Sequence, residues 1–152
     1  MTLRERLQAA LKEAMRAKEA DRLSTLRLIN AAIKDREIAV RGEAEGVEVT
    51  DTDILAILGR MVKQRQESAR AFEEGGRLEL AEKELAEVVV ISEFLPRQLS
   101  DAEVDAAIAA AIAEAGASSI RDMGKVMAVL KGKYTGQMDF GAVGPRVKDK
   151  LG

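Results

Sequence analysis

Two segments come nearest to named chemistry: the serine pair Ser118-Ser119 and the run Lys131-Gly132-Lys133-Tyr134-Thr135-Gly136. A serine amidase needs a nucleophile, a lysine base and an oxyanion hole. No Gly/Ser-rich nucleophile loop surrounds the pair and a helical stripe follows it, so it reads as a helix cap. A phosphate-binding P-loop needs a glycine five residues before its final glycine and a hydroxyl after its lysine. Met127 and Tyr134 hold those places, and the motif fails.

Carboxylates are the next candidates. Asp51 with Asp53, or Glu79 with Glu82 and Glu84, have the composition of a Mg²⁺ site or an acid/base pair. The aspartates sit where a helix should begin, and its dipole favours anions there; the glutamates read as a solvated helix face. Met123 and Met127 read as core. The chain has no Cys and no His, which removes disulfides, thiol and imidazole catalysis and zinc sites built on those ligands. We therefore expect no catalytic residues, no metal and no cofactor.

Net charge is -2, with 24 Lys+Arg against 26 Asp+Glu, so polyanion binding by bulk charge is excluded. The distribution is more telling. Residues 1–95 hold 16 basic and 19 acidic side chains, whereas residues 120–152 hold 7 basic and 3 acidic. The basic ones are Arg121, Lys125, Lys131, Lys133, Arg146, Lys148 and Lys150. Two readings stay open: cations complementing helix C-termini, or a patch that contacts phosphates and releases counterions. Tyr134 is the stacking candidate nearby.

The elements that must position these residues are helical. A chain of 152 residues allows one domain or two small ones. Aromatics are 3% and hydrophobic residues 47%, so Leu, Ile, Val, Ala and Met must build the core, which favours helix packed on helix. We expect an all-α fold. The longest apolar stretch, 106–113, is far short of the roughly 20 residues of a membrane span. The first residues, Met1-Thr2-Leu3-Arg4-Glu5-Arg6, lack the apolar region of a secretory signal. The expectation is a cytoplasmic protein with no membrane partner.

Thr2 and Glu5 suggest a capping box opening a helix that runs to about Lys18 on the stripe Leu3, Leu7, Leu11, Met15. A second helix from about Asp21 carries Leu26, Ile29 and Ile33 and should stop before Gly42, leaving a polar loop with Glu43, Glu45, Gly46 and Glu48. Thr50 and Asp53 cap a third, with Ile54, Leu58, Met61 and Phe72 inward and a stop at Gly75-Gly76. Arg65 falls on its apolar stripe and reads as a snorkelling or carboxylate-paired side chain, in preference to a contact residue on a groove. The fourth places Leu78, Leu85 and Val88/Val89 inward, and Pro96 ends it.

Pro96, followed by Ser100 and Glu103 as a new capping box, marks a boundary and a hinge between an N-terminal bundle of about four helices, 1–95, and a three-helix tail, 96–152. The tail helices carry Val104, Ile108 and Ile112; then Met123, Val126, Met127 and Leu130; then Val143, Val147 and Leu151 from about Asp139. The strand-like run Val88-Val89-Val90-Ile91 lies within a helical pattern and reads as helix.

Three stretches together resemble the YqeY family, relatives of the tail domain of GatB, the kinase-bearing component of aspartyl/glutamyl-tRNA amidotransferase. They are residues 76–87 (GRLELAEKELAE), 94–100 (FLPRQLS) and 122–127 (DMGKVM), with Arg65-Gln66-Glu67-Ser68 beside them. Phe94 and Gln137-Met138-Asp139-Phe140 depart from the usual pattern. The resemblance implies an N-terminal helical bundle followed by a tail similar to the one that helps the amidotransferase grip tRNA. It also implies the family's label of carbon-nitrogen ligase activity with glutamine as amido-N-donor, by association with that enzyme. Neither its kinase core nor its glutaminase has a counterpart in this length. The resulting expectation is a noncatalytic tRNA-associated module presenting Arg121, Lys125, Lys131, Lys133 and Lys148 to RNA, with a translation-machinery protein as a further partner and no DNA. The alternative is a helical protein-interaction adaptor that binds no RNA.

Overall fold

A computed structural model describes residues 1–43 and 48–152 and, among them, only helices, turns and loops. The fold is all-α. Contacts divide the chain into two compact units, Met1–Leu95 and Pro96–Gly152.

The first unit holds α1 (Leu3–Ala17), α2 (Ala20–Glu43), α3 (Asp51–Glu74) and α4 (Leu78–Ser92). Thr2 caps α1 by accepting from the Glu5 N–H, and Lys18 closes it in the left-handed conformation with φ 57°. Thr50 and Asp53 complete a reciprocal capping box at α3. Asp51 accepts from the Leu3 N–H at 3.4 Å, tying the starts of α1 and α3 together. The unit's core joins Leu7, Leu26, Ile29, Ile54, Leu58, Ile91 and Phe94.

Three expectations fail here, the first on α1, where Met15 of the expected stripe is exposed and Ala14 is buried in its place. Helix α2 does not stop before Gly42 but carries through it to Glu43. One helical glycine costs only about 1 kcal/mol, while Val40 is buried and Arg36 pairs with Glu43 at 3.8 Å. Of the expected loop, Glu45 and Gly46 lie outside the described residues. Helix α4 is rotated from the expected face: Ala81 and Ile91 are buried, whereas Leu78, Leu85 and Val89 are exposed. It also ends at Ser92, four residues before Pro96, so that Phe94 can turn into the core.

The second unit holds α5 (Asp101–Ala115), a 3₁₀ turn (Ile120–Asp122), α6 (Met123–Tyr134) and α7 (Phe140–Leu151). Ser100 and Glu103 form the second reciprocal capping box, and Gly116 ends α5 at φ 63°, where a side chain would be strained. Val104, Ile108, Val126, Leu130, Val143 and Val147 make a separate core. Ser118-Ser119 does not cap through a hydroxyl. Instead the Ser118 N–H donates to the Asp122 carboxylate at 3.1 Å, which reaches back over the turn one bond further than a hydroxyl can. Asp139 caps α7 by accepting from the Gly141 N–H.

Candidate nucleic-acid interface

The 3₁₀ turn and helices α6 and α7 carry the cations expected to meet RNA. Arg121 lies in the 3₁₀ turn, Lys125 in the first turn of α6, Lys131 and Lys133 in its last turn, and Lys148 in the last turn of α7; all five are exposed. Their neighbours are not equivalent.

Lys131 and Lys133 are two residues apart and so point about 200° apart around α6. The Lys133 ammonium donates to Glu114 of α5. That hydrogen bond, and the attraction behind it, raises the Lys133 pKa above its usual value. Lys133 thus stands on the flank that faces α5, and Lys131 stands on the other.

The same division recurs on α7. Arg146 donates to the Asp105 carboxylate at 2.5 Å and to the Asp101 carbonyl at 3.2 Å, its guanidinium also lying 3.6 Å from the Asp101 carboxylate. The Arg146 hydrogen bond holds the Asp105 carboxyl below its ordinary range, and the Lys150 charge, one turn along α7 from Arg146, adds to it. Lys148, two residues from each, falls on the opposite flank.

Two groups of cations result. Lys133, Arg146 and Lys150 face the acidic helix α5. Arg121, Lys131 and Lys148 make no ion pair with any described residue, and Lys125 stands 4.0 Å from Asp122 at the limit of contact. The structure therefore does not set Lys131, Lys133 and Lys148 on one flank. Tyr134 is half-buried against the second core, which leaves little of its ring for stacking.

The α5 carboxylates Asp101, Asp105 and Glu114 are the participants that sequence reasoning missed. Glu114 and Lys133 are 19 residues apart, and Asp105 and Arg146 are 41 apart, so no helical spacing links them. The start of α5 is fixed by another pair: Arg97 bonds both Glu103 oxygens, at 2.8 and 2.6 Å. The Arg97 hydrogen bond, then those from Ser100, push the Glu103 carboxyl down to about 2. Gln98 and Gln137 donate across to the carbonyls of Gly136 and Arg97, closing the segment before α5 onto the turn before α7.

In the first unit a cleft of about 530 Å³ between α1 and α2 is lined by Arg4, Gln8, Asn30, Lys34 and Glu37. Arg4 is bonded to Glu37 at 2.6 Å, so its charge is already matched. Among the described residues no group of three carboxylates converges as a metal site, and no helix is long and apolar enough to cross a membrane.

Comparison with known proteins adds lineage to this geometry. The chain is 38% identical over 89 residues to Altered inheritance of mitochondria protein 41, mitochondrial, of Clavispora lusitaniae, covering 59% of this chain and 49% of that protein. The protein of the same name in Lachancea thermotolerans is 30% identical over 110 residues, 71% of this chain and 57% of the relative. That of Pyrenophora tritici-repentis is 29% identical over 153 residues, 97% of this chain and 80% of the relative. The matched region thus spans about half the length of the first two relatives. The profile of the family described as Yqey-like protein matches residues 4–151, and the chain belongs to that family.

Proposed function

We propose that this protein is a noncatalytic tRNA-binding module whose carboxyl-terminal unit offers cations to the phosphate backbone. The observation that supports this reading is the sorting of charge in that unit: α5 neutralises one group of cations and leaves Arg121, Lys131 and Lys148 exposed and, among the described residues, unpaired. An ammonium or guanidinium with no internal partner gains most from meeting a phosphate, because no existing bond is broken. With no exposed aromatic platform beside them, recognition runs through backbone and shape. Lys125 adds to the surface, and Lys133 joins it only by leaving Glu114.

The link to tRNA-dependent amidotransferases belongs to this proposal as an association through tRNA, with the carbon-nitrogen ligase chemistry supplied by other proteins. Cytoplasmic translation is the proposed setting. The relatives named as mitochondrial would meet tRNA of the same phosphate chemistry.

Titration of labelled tRNA with the full chain at several salt concentrations tests the reading. Three phosphate contacts give a log-log slope of about -2 to -3. Reversing Arg121, Lys131 and Lys148 to Glu should weaken binding at least tenfold and flatten that slope. Affinity that ignores salt, or that survives the triple reversal, defeats the proposal.

A further inference from the structure

Helix α4 turns outward the residues its spacing would bury. Leu78 is 61% exposed, Leu85 41% and Val89 67%. At positions i, i+7 and i+11 they fall within about 40° of one line and span roughly 16 Å, three turns of helix. Single exposed aliphatics are ordinary on a protein surface, but an aligned row on one helix marks an interaction face.

The charges on the same helix specify what would cover it. Glu79 and Glu82, about 100° and 40° around the helix from Leu78, have no ion-pair partner among the described residues, Glu84 falls about 120° away on the other side, and Lys83 is the one cation within α4. The other nearby carboxylates are already engaged: Glu87 with Arg65, and Glu93 with Arg22. The apolar ridge therefore carries two unpaired carboxylates, Glu79 and Glu82, along one flank. A second copy docked on it with the two α4 helices antiparallel would set Glu79 and Glu82 against their own equivalents. RNA would meet the same carboxylates.

We infer that this α4 face docks an amphipathic helix of a partner protein, one with an aliphatic stripe flanked by Lys and Arg. Such a helix lays its stripe along Leu78, Leu85 and Val89 and sets its cations beside Glu79 and Glu82, the usual helix-on-groove mode with charges fixing register. This surface is independent of the tRNA reading, since it uses none of the carboxyl-terminal cations.

The test uses two synthetic 18-residue helical peptides with the same leucine stripe, one flanked by lysine and the other by glutamate. Binding to the full chain is followed by fluorescence anisotropy. The lysine peptide should bind at least tenfold more tightly than the glutamate peptide. It should lose at least tenfold on L85D/V89D, and several-fold on E79Q/E82Q, which keeps the apolar row. Circular dichroism and melting of both variants confirm that the fold is intact, and L85A/V89A replaces L85D/V89D if it is not. Equal binding of the two peptides, no binding of either at millimolar concentration, or insensitivity to the α4 variants overturns the inference. So does a dimer in sedimentation equilibrium that dissociates on L85D/V89D, because a second copy would then own the face.

Discussion

Arg65 and Glu87 meet between α3 and α4 with Nε and Oε2 3.1 Å apart, their side chains only 15% and 18% exposed. Arg65 also donates to the Met61 carbonyl, so the guanidinium is held from both sides. Arg65→Ala leaves Glu87 half-buried and unmatched, and should cost about 1–3 kcal/mol in urea denaturation. Arg65→Met combined with Glu87→Leu should recover most of that loss, because it removes both desolvated charges together.

The outward face of α4 makes a contrast that stability measurements can read. Ile91 is fully buried in the first core, so Ile91→Ala should cost about 2–5 kcal/mol. Leu85→Ala, on the exposed row, should change stability by less than about 0.5 kcal/mol. Equal losses at the two positions would mean that α4 packs through the face its spacing suggests.

Glu103 gives the carboxyl-terminal unit a pH dependence of definite sign. Its pKa falls from an ordinary 4.5 to about 2, through the Arg97 hydrogen bond first and the Ser100 bonds next. A depressed carboxyl stabilises the folded state above its unfolded value, and the contribution disappears as pH falls through the folded one. Thermal melts should show the native protein above Glu103→Gln at pH 6, with the two converging as the pH drops from 4.5 towards 2. Exposure of the pair to water and salt keeps the difference small.

Backbone conformation predicts opposite results for chemically similar changes. Lys18 occupies the left-handed region at φ 57°, so Lys18→Gly should gain up to about 1 kcal/mol. Gly116→Ala, at φ 63°, should lose about as much. Gly59 and Gly132 lie inside helices with open space where a Cβ would stand, and alanine at each should add about 0.5–1 kcal/mol.

If tRNA meets the carboxyl-terminal unit, Asp101→Asn with Asp105→Asn should strengthen binding several-fold and steepen its salt dependence. Those changes free Arg146 and Lys150 from the carboxylates they face. Filter binding at two ionic strengths reads both effects.

What could be read from the sequence was local. Thr50 with Asp53, and Ser100 with Glu103, are three residues apart, and their reciprocal bonds are the direct product of that spacing. Ile54 with Leu58, and Val104 with Ile108, repeat at one helical turn and are buried as expected. Helix α4 resisted because apolar residues occur on more than one side of it. Periodicity shows that a helix has an apolar face, but which face turns inward depends on α2 and α3, the helices α4 packs against, and it is Ala81 and Ile91 that are buried. The outcome at Arg65 was one of the two structural readings open to it, since a cation on an apolar stripe needs a nearby anion or water. The pairing of Arg146 with Asp105 was out of reach, because 41 residues separate partners that only the folded unit brings together.

The two hydrophobic clusters share no side chain. Damage is therefore compartmented: a lesion that loosens Leu58 or Ile91 does not remove a neighbour from Leu130 or Val147. A substitution in either core can thus be offset by repacking within that core alone.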